Sequence, residues 1–254
     1  MSPLIADWRS LCSEIETCAM GIFATADVKI TPKGFADPQF LALALLARCV
    51  SNLKGALILL DASLIVEART ITRCCLENLY WTVGLAEHGD EFVKQMQDDE
   101  LTHRRLTGQS FFEMDVALDG EVEDRLRAFM RKLNKDGSTT KTLNPRGVAG
   151  IREDFRKTYI FYAQLSSDAA HPSVSALSRY VVADHPEGPG FDTEPVVRPG
   201  ETIETYEYLA MACLGVCVGA NQLLGGTAGG ARLNALAGRQ SALSNASKGT
   251  NKLD

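Results

Sequence analysis

The sequence lacks the short motifs by which many enzymes and metal-binding proteins can be identified. Its 254 residues contain no Gly-x-Ser-x-Gly elbow, no Walker phosphate loop and no dinucleotide-binding glycine pattern. The seven cysteines include no Cys-x-x-Cys pair, and none of the four histidines stands at zinc-ligand spacing. We therefore expect neither a metal nor a cofactor.

A secretory leader and a long uncharged apolar run are also missing. The N-terminal residues lack the basic and apolar regions of a signal peptide, and an odd number of cysteines without a leader is typical of a reducing compartment. The apolar stretch 39–60 is interrupted by Arg48, Asn52 and Lys54, whereas a membrane span needs about 20 largely uncharged residues. These features predict a cytoplasmic protein that does not enter the membrane.

Charge is ordinary in amount but uneven along the chain. Charged residues make up 23% and hydrophobic residues 45%, which is typical of a folded globular protein. The net charge of −6 argues against a general nucleic-acid binder. Residues 125–157, however, contain ten Lys or Arg and only three acidic residues. This basic segment keeps RNA or a nucleotide as a candidate partner.

Apolar residues recur at helical spacing along most of the chain, which predicts an all-α bundle of about six helices. An N-terminal helix and linker (1–36) precede the predicted core domain (37–226), and a flexible tail (227–254) follows it. Asp37 and Pro38 predict a capped helix start near Gln39. A tight junction near Asp61 and Ser63 predicts that this helix and one starting near Asp61 form a central antiparallel hairpin. A small β-like insertion is predicted near residues 180–197.

Three charged residues form one stripe on a helix that is otherwise apolar around most of its circumference. Arg69, Arg73 and Glu77 fall on consecutive turns of the predicted helix 61–84. Two arginines on one face would form a clamp for a phosphate or another anion, with Glu77 orienting Arg73. The same spacing equally fits an internal ion-pair network that ties helices together. The sequence leaves both interpretations open.

The other candidates for chemistry lie outside that helix. His171 follows a predicted helix C-terminus, whose negative potential favours a charged imidazole that binds an anion or donates a proton. A histidine that only satisfies the last helix carbonyls is the alternative. We assign His171 and Glu77 as candidate catalytic residues. Arg69 and Arg73, with Lys135 and Lys141 of a Gly/Ser/Thr-rich loop, are the candidate ligand-binding residues.

Two segments carry a resemblance to known families. The stretches 67–77, with its Arg-x-x-x-Glu pattern, and 162–173, with its Leu-Ser…His-Pro pattern, resemble an uncharacterised bacterial all-helical family of unknown function. The chain is more distantly similar to HEPN helical domains, several of which are RNA-cleaving toxins or defence factors. Their Arg and His stand four to six residues apart on one helix, whereas the nearest arginine before His171 is Arg156.

Two functions therefore follow from the sequence. The first is binding of, or action on, a phosphate-bearing ligand such as RNA or a nucleotide by Arg69, Arg73, Glu77 and His171. The second is a non-catalytic helical interaction module in which the Arg/Glu stripe is structural. In that module the small residues Ala212, Gly215 and Gly219 would form a homodimer interface.

Overall fold

The computed structural model of the chain describes residues 2–29, 31–114, 119–135, 142–182, 188 and 190–250. These residues are predominantly helical, so the prediction of an all-α bundle is confirmed. The long helices are α1 (Pro3–Thr25), α2 (Pro38–Asp61), α3 (Ile65–His88), α4 (Asp90–Glu113), α5 (Gly120–Lys135), α10 (Glu201–Leu223) and α11 (Leu233–Thr250). Shorter helices, α6 (Pro145–Ala149), α7 (Glu153–Arg156), α8 (Tyr159–Leu165) and α9 (Val174–Leu177), lie between α5 and α10.

Helices α2 and α3 form the predicted hairpin at the centre of the bundle. The Asp37 carboxylate accepts a hydrogen bond from the Gln39 amide (2.9 Å) and Pro38 occupies the first turn, so α2 begins where its cap predicts. A three-residue connection that includes Ser63, with a positive φ of 62°, reverses the chain. Helix α3 then packs along both α2 and α10, and α1 covers α2 and α10.

Small residues bring α10 close to α3 within one chain. A Cβ at Gly215 would lie 2.6 Å from Leu79 Cδ1, and one at Gly219 would lie 2.6 Å from Thr82 Cγ2. Ala212 on the same helix is fully buried. The homodimer surface predicted at these three residues is therefore wrong, because the small residues already pack against the neighbouring helix. A homodimer through another face stays a prediction.

The segment after α5 consists of several short helical pieces. Asn144 and Pro145 start α6, which ends at Gly150. After α7 and α8, a π-helical turn (Ser166–Ala170) completes the segment. The predicted β-like insertion is confirmed as two short antiparallel strands, β1 (Val181–Val182) and β2 (Gly190–Phe191), in which Val181 is opposite Phe191.

The structure also differs from the predicted flexible tail. A 3₁₀ turn (Ala228–Arg232) leads into α11, which packs on α1 and α10 with Leu233 and Leu236 buried. A glycine-rich stretch such as 225–230 is typical of a loop, but Gly229 is needed here for close approach to α1. A Cβ at Gly229 would lie 2.1 Å from the backbone of Gly21. Only a residue without a side chain fits that contact.

Two helices, α2 and α10, are long and apolar enough to cross a membrane by length and composition alone. Both contribute fully buried residues, among them Leu46 and Leu209, to the hydrophobic core. A core helix of a folded protein has the same apolar character. The cytoplasmic location stays a prediction.

The docked tail can be tested with a matched pair of glycine substitutions. Gly229→Ala should destabilise the protein by about 1–3 kcal/mol, because the new methyl group meets rigid backbone of α1. Gly238→Ala in α11 has open space around its Cβ and should be neutral or stabilising by up to about 1 kcal/mol. Urea denaturation measures both. If the tail does not dock, both variants will unfold like the wild type.

Candidate functional site

Arg69 of α3 lies in a buried ion-pair network. Its side chain is 0% exposed. Nη1 donates to Glu204 Oε2 of α10 at 2.7 Å, and Nη2 donates to Asp168 Oδ2 in the π-turn at 3.4 Å. These contacts tie the central helix to two segments that follow it by about a hundred residues or more in the chain.

Arg179 holds the other side of the same network. Its Nη1 donates to Glu201 Oε2 and to the Val196 carbonyl, both at 2.9 Å, and its Nη2 contacts Asp168. Hydrogen bonding to Glu201 raises the pKa of Arg179 above its ordinary value. Burial opposes ionisation of Glu201, but hydrogen bonds from Arg179 and from the Arg198 amide outweigh it and lower the pKa of that carboxyl.

The charges in the network balance. Its three carboxylates belong to Asp168, Glu201 and Glu204, and its cations are Arg69, Arg179 and Arg198, whose Nη1 lies 3.3 Å from Asp168 Oδ1. Buried charges are stable only when they are paired in this way. For Arg69, the interpretation as an internal ion-pair network is therefore the one that the structure supports.

Arg73, one turn further along α3, has a different environment. Its Nη1 donates to Glu77 Oε1 (2.8 Å) and to the Tyr162 hydroxyl (2.7 Å), and that hydroxyl donates to the same Glu77 oxygen (2.9 Å). The side chains of Arg73 and Glu77 are 20% and 25% exposed. Burial and the hydrogen bond to Glu77 raise the pKa of Tyr162. We call Arg73, Glu77 and Tyr162 the polar triad.

Part of the Arg73 guanidinium has no hydrogen-bond partner among the described residues. Arg73 uses only Nη1, and its Nε is buried without an acceptor. Ser166 Oγ, at the start of the π-turn, is also buried, and its hydrogen bonding to the Tyr162 hydroxyl acts to lower the pKa of Tyr162. A buried atom without an acceptor, such as Arg73 Nε, calls for a water molecule or a ligand group. The triad thus has capacity for a further hydrogen-bonding partner.

The other site residues predicted from the sequence make no described contact with the triad. His171 is exposed, and its ring makes no hydrogen bond or ion pair within the described part of the chain. Its backbone amide donates to the Ser166 carbonyl (3.0 Å), which closes the π-turn. The side chain of Lys135 and all of Lys141 lie outside the described residues. The structure brings Arg73 and Glu77 together and places Arg69 in the neighbouring network.

Sequence reasoning missed the partners of these arginines. The carboxylates of the network, the second buried arginine and the tyrosine of the triad come from other elements, namely Tyr162, Asp168, Arg179, Glu201 and Glu204. No spacing along one helix could reveal them. Within the described ranges, no group of three or more His, Cys, Asp or Glu residues could hold a metal ion.

Comparison with known families matches residues 39–189, more than half of the chain, to a family of unknown function, DUF5677. The chain belongs to this family. The DUF5677 segment includes the polar triad, together with Arg69, Asp168 and Arg179, but ends before Glu201 and Glu204. No curated protein and no solved structure matches the chain.

The buried network predicts a large stability effect at Arg69. Arg69→Ala should lower the free energy of unfolding by about 3–5 kcal/mol, because Asp168 and Glu204 lose their buried cation. Arg104→Ala, which removes an exposed pair with Glu100 on α4, should change it by less than about 0.5 kcal/mol. Urea denaturation compares the two. Equal stability of both variants would contradict a structural role for Arg69.

Proposed function

We propose that the protein binds a phosphate-bearing ligand, RNA or a nucleotide, at the polar triad. The observation that carries this proposal is the half-used guanidinium of Arg73. One nitrogen is fixed by Glu77 and Tyr162, whereas Nε and Nη2 donate to no described residue. Arg69, by contrast, is fully buried and paired with two carboxylates.

The geometry of a held arginine suits a phosphate. A planar guanidinium offers adjacent N–H groups that pair with two phosphate oxygens, and orientation by a carboxylate reduces the entropy lost on binding. The triad is charge-neutral, because Glu77 balances Arg73. A polyanion therefore needs further cations. Exposed basic residues without an ion pair among the described residues are available in the basic segment, namely Arg131, Lys132, Arg146 and Lys157.

RNA is the preferred ligand, because a basic segment and an arginine site together fit a chain of phosphates. The resemblance to HEPN domains would add cleavage to binding, as expected of a toxin or defence factor. Glu77 would then take the proton of the 2′-hydroxyl that attacks the phosphorus, and His171 would give a proton to the 5′-oxygen that leaves. The His171 ring is exposed and has no protein partner in the described part of the chain.

A non-catalytic interaction module is the second candidate, and one observation favours it. Val174 and Phe191 are each 87% exposed, and Leu177 and Val196 nearby in sequence are also exposed. A contiguous apolar surface formed by these side chains would be typical of a contact with another protein. This candidate needs no ligand at the triad, so the two functions can be separated by experiment.

The proposed function predicts a selective binding defect at Arg73. Arg73→Ala should weaken binding of a single-stranded RNA oligonucleotide by about tenfold and reduce the slope of log K against log salt by about one. The melting temperature should fall only slightly, because Glu77 is partly exposed and keeps the Tyr162 hydroxyl. Fluorescence anisotropy at several salt concentrations measures the binding.

Arg104→Ala is the matched control, because it also breaks an i,i+4 pair with a glutamate but on an exposed face of α4. It should bind RNA like the wild type. Equal loss of RNA affinity in both variants, or binding that does not depend on salt, would contradict a phosphate site at Arg73.

If RNA and nucleotides do not bind and a Val174→Ser/Phe191→Ser double variant loses self-association, the interaction module is the better account. RNA cleavage that is lost in His171→Gln would support the catalytic role of His171.

A further inference from the structure

A cleft of about 710 Å³ lies at the N-terminal end of α3. It is bounded by the start of α1, the α2–α3 junction and the start of α10. Its walls are largely apolar and include Ile5, Leu60, Ile65 and Val197. The volume falls within the range of about 300–1,000 Å³ that is typical of small-molecule sites.

Three hydroxyl groups line this cleft without a hydrogen-bond partner in the described part of the chain. Tyr206 is only 2% exposed, and its hydroxyl makes no hydrogen bond with any described residue. The side-chain hydroxyls of Ser63 and Thr202 are likewise free among the described residues. A tyrosine hydroxyl is protonated at neutral pH and can donate, and burial raises the pKa of Tyr206 further, to about 12. The hydroxyl is not among the enclosed unpartnered atoms of the described residues, so it is open to an acceptor that enters the cleft.

The charge at the cleft is already neutralised. Asp61 is the carboxylate in the lining, and Arg9 binds both of its oxygens, with Nε 3.0 Å from Oδ1 and Nη2 3.0 Å from Oδ2. The Asp61 carboxylate would repel an anionic ligand, and a cationic ligand would have to compete with Arg9 for that carboxylate. The polar part of a ligand is therefore expected to be uncharged.

From these contacts we infer that the cleft binds a small neutral amphiphile, whose apolar body lies against Ile5, Leu60 and Ile65 and whose carbonyl or amide oxygen accepts from Tyr206. This site is separate from the polar triad. Ile65 precedes Arg73 by eight positions on α3, which is about 12 Å along the axis. The buried network supports its wall, since Arg179 holds the carbonyl of Val196, next to Val197.

Three probes with the same pentyl chain test the inference on the full chain: hexanamide, hexanoate and pentylammonium. Calorimetric titration should give the tightest binding for hexanamide. Tyr206→Phe removes one hydroxyl and keeps the ring, so hexanamide should bind about two- to tenfold more weakly. Tyr180→Phe makes the same chemical change outside the cleft lining and should leave the affinity unchanged.

Val197→Trp provides a second variant, because it fills the cleft from a partly exposed wall. It should abolish hexanamide binding while the melting transition stays cooperative. The inference is overturned if hexanamide does not bind, if hexanoate binds as tightly, or if Tyr206→Phe binds hexanamide like the wild type. RNA binding by Arg73→Ala reports on the triad alone. Loss of RNA binding at the triad is therefore distinguishable from loss of hexanamide binding at the cleft.

Discussion

Burial of Arg69 and Arg179 is the constraint on which the arrangement of this molecule depends. An unpaired buried guanidinium is prohibitively unfavourable, so each must meet carboxylates in a fixed position. Asp168 contacts both arginines, while Glu204 binds the first and Glu201 the second. This requirement fixes the π-turn and the start of α10 against α3. Tyr162, which precedes the π-turn, is thereby placed beside Arg73, and Val197 is placed at the cleft wall.

Arg69 and Arg73, one turn apart on α3, consequently differ in whether they can bind a ligand. Arg69 faces α10 and the π-turn, where carboxylates surround it and exclude solvent. Arg73 contacts one carboxylate and one hydroxyl and remains partly exposed. A residue of the first kind contributes to stability, because removing it leaves buried charges behind. A residue of the second kind can exchange its partners for a ligand without unfolding the protein.

The sequence was sufficient for features that depend on local pattern. The Asp37–Pro38 cap, the α2–α3 hairpin and the all-α class follow from capping chemistry and apolar periodicity, and the structure confirms them. It could not decide between a clamp and a network at Arg69, because the decisive carboxylates lie 99 and 135 positions away. The tail was mispredicted for a related reason. Glycines that look like a loop in composition serve a close helix contact at Gly229.

The family segment, residues 39–189, is shorter than the part of the chain that forms the buried ion-pair network, because that network includes α10. Among the described residues of 39–189, Arg69 and Arg179 would have only Asp168 as a buried counter-charge, because Glu201 and Glu204 belong to α10. The face of α3 formed by Leu79 and Thr82 would also lose the glycines against which it packs. Both deficits would expose the central helix and leave excess positive charge in the interior. Helix α10 is therefore an integral part of the folded domain, and the polar triad depends on it through the network even though none of its three residues contacts α10 by a hydrogen bond.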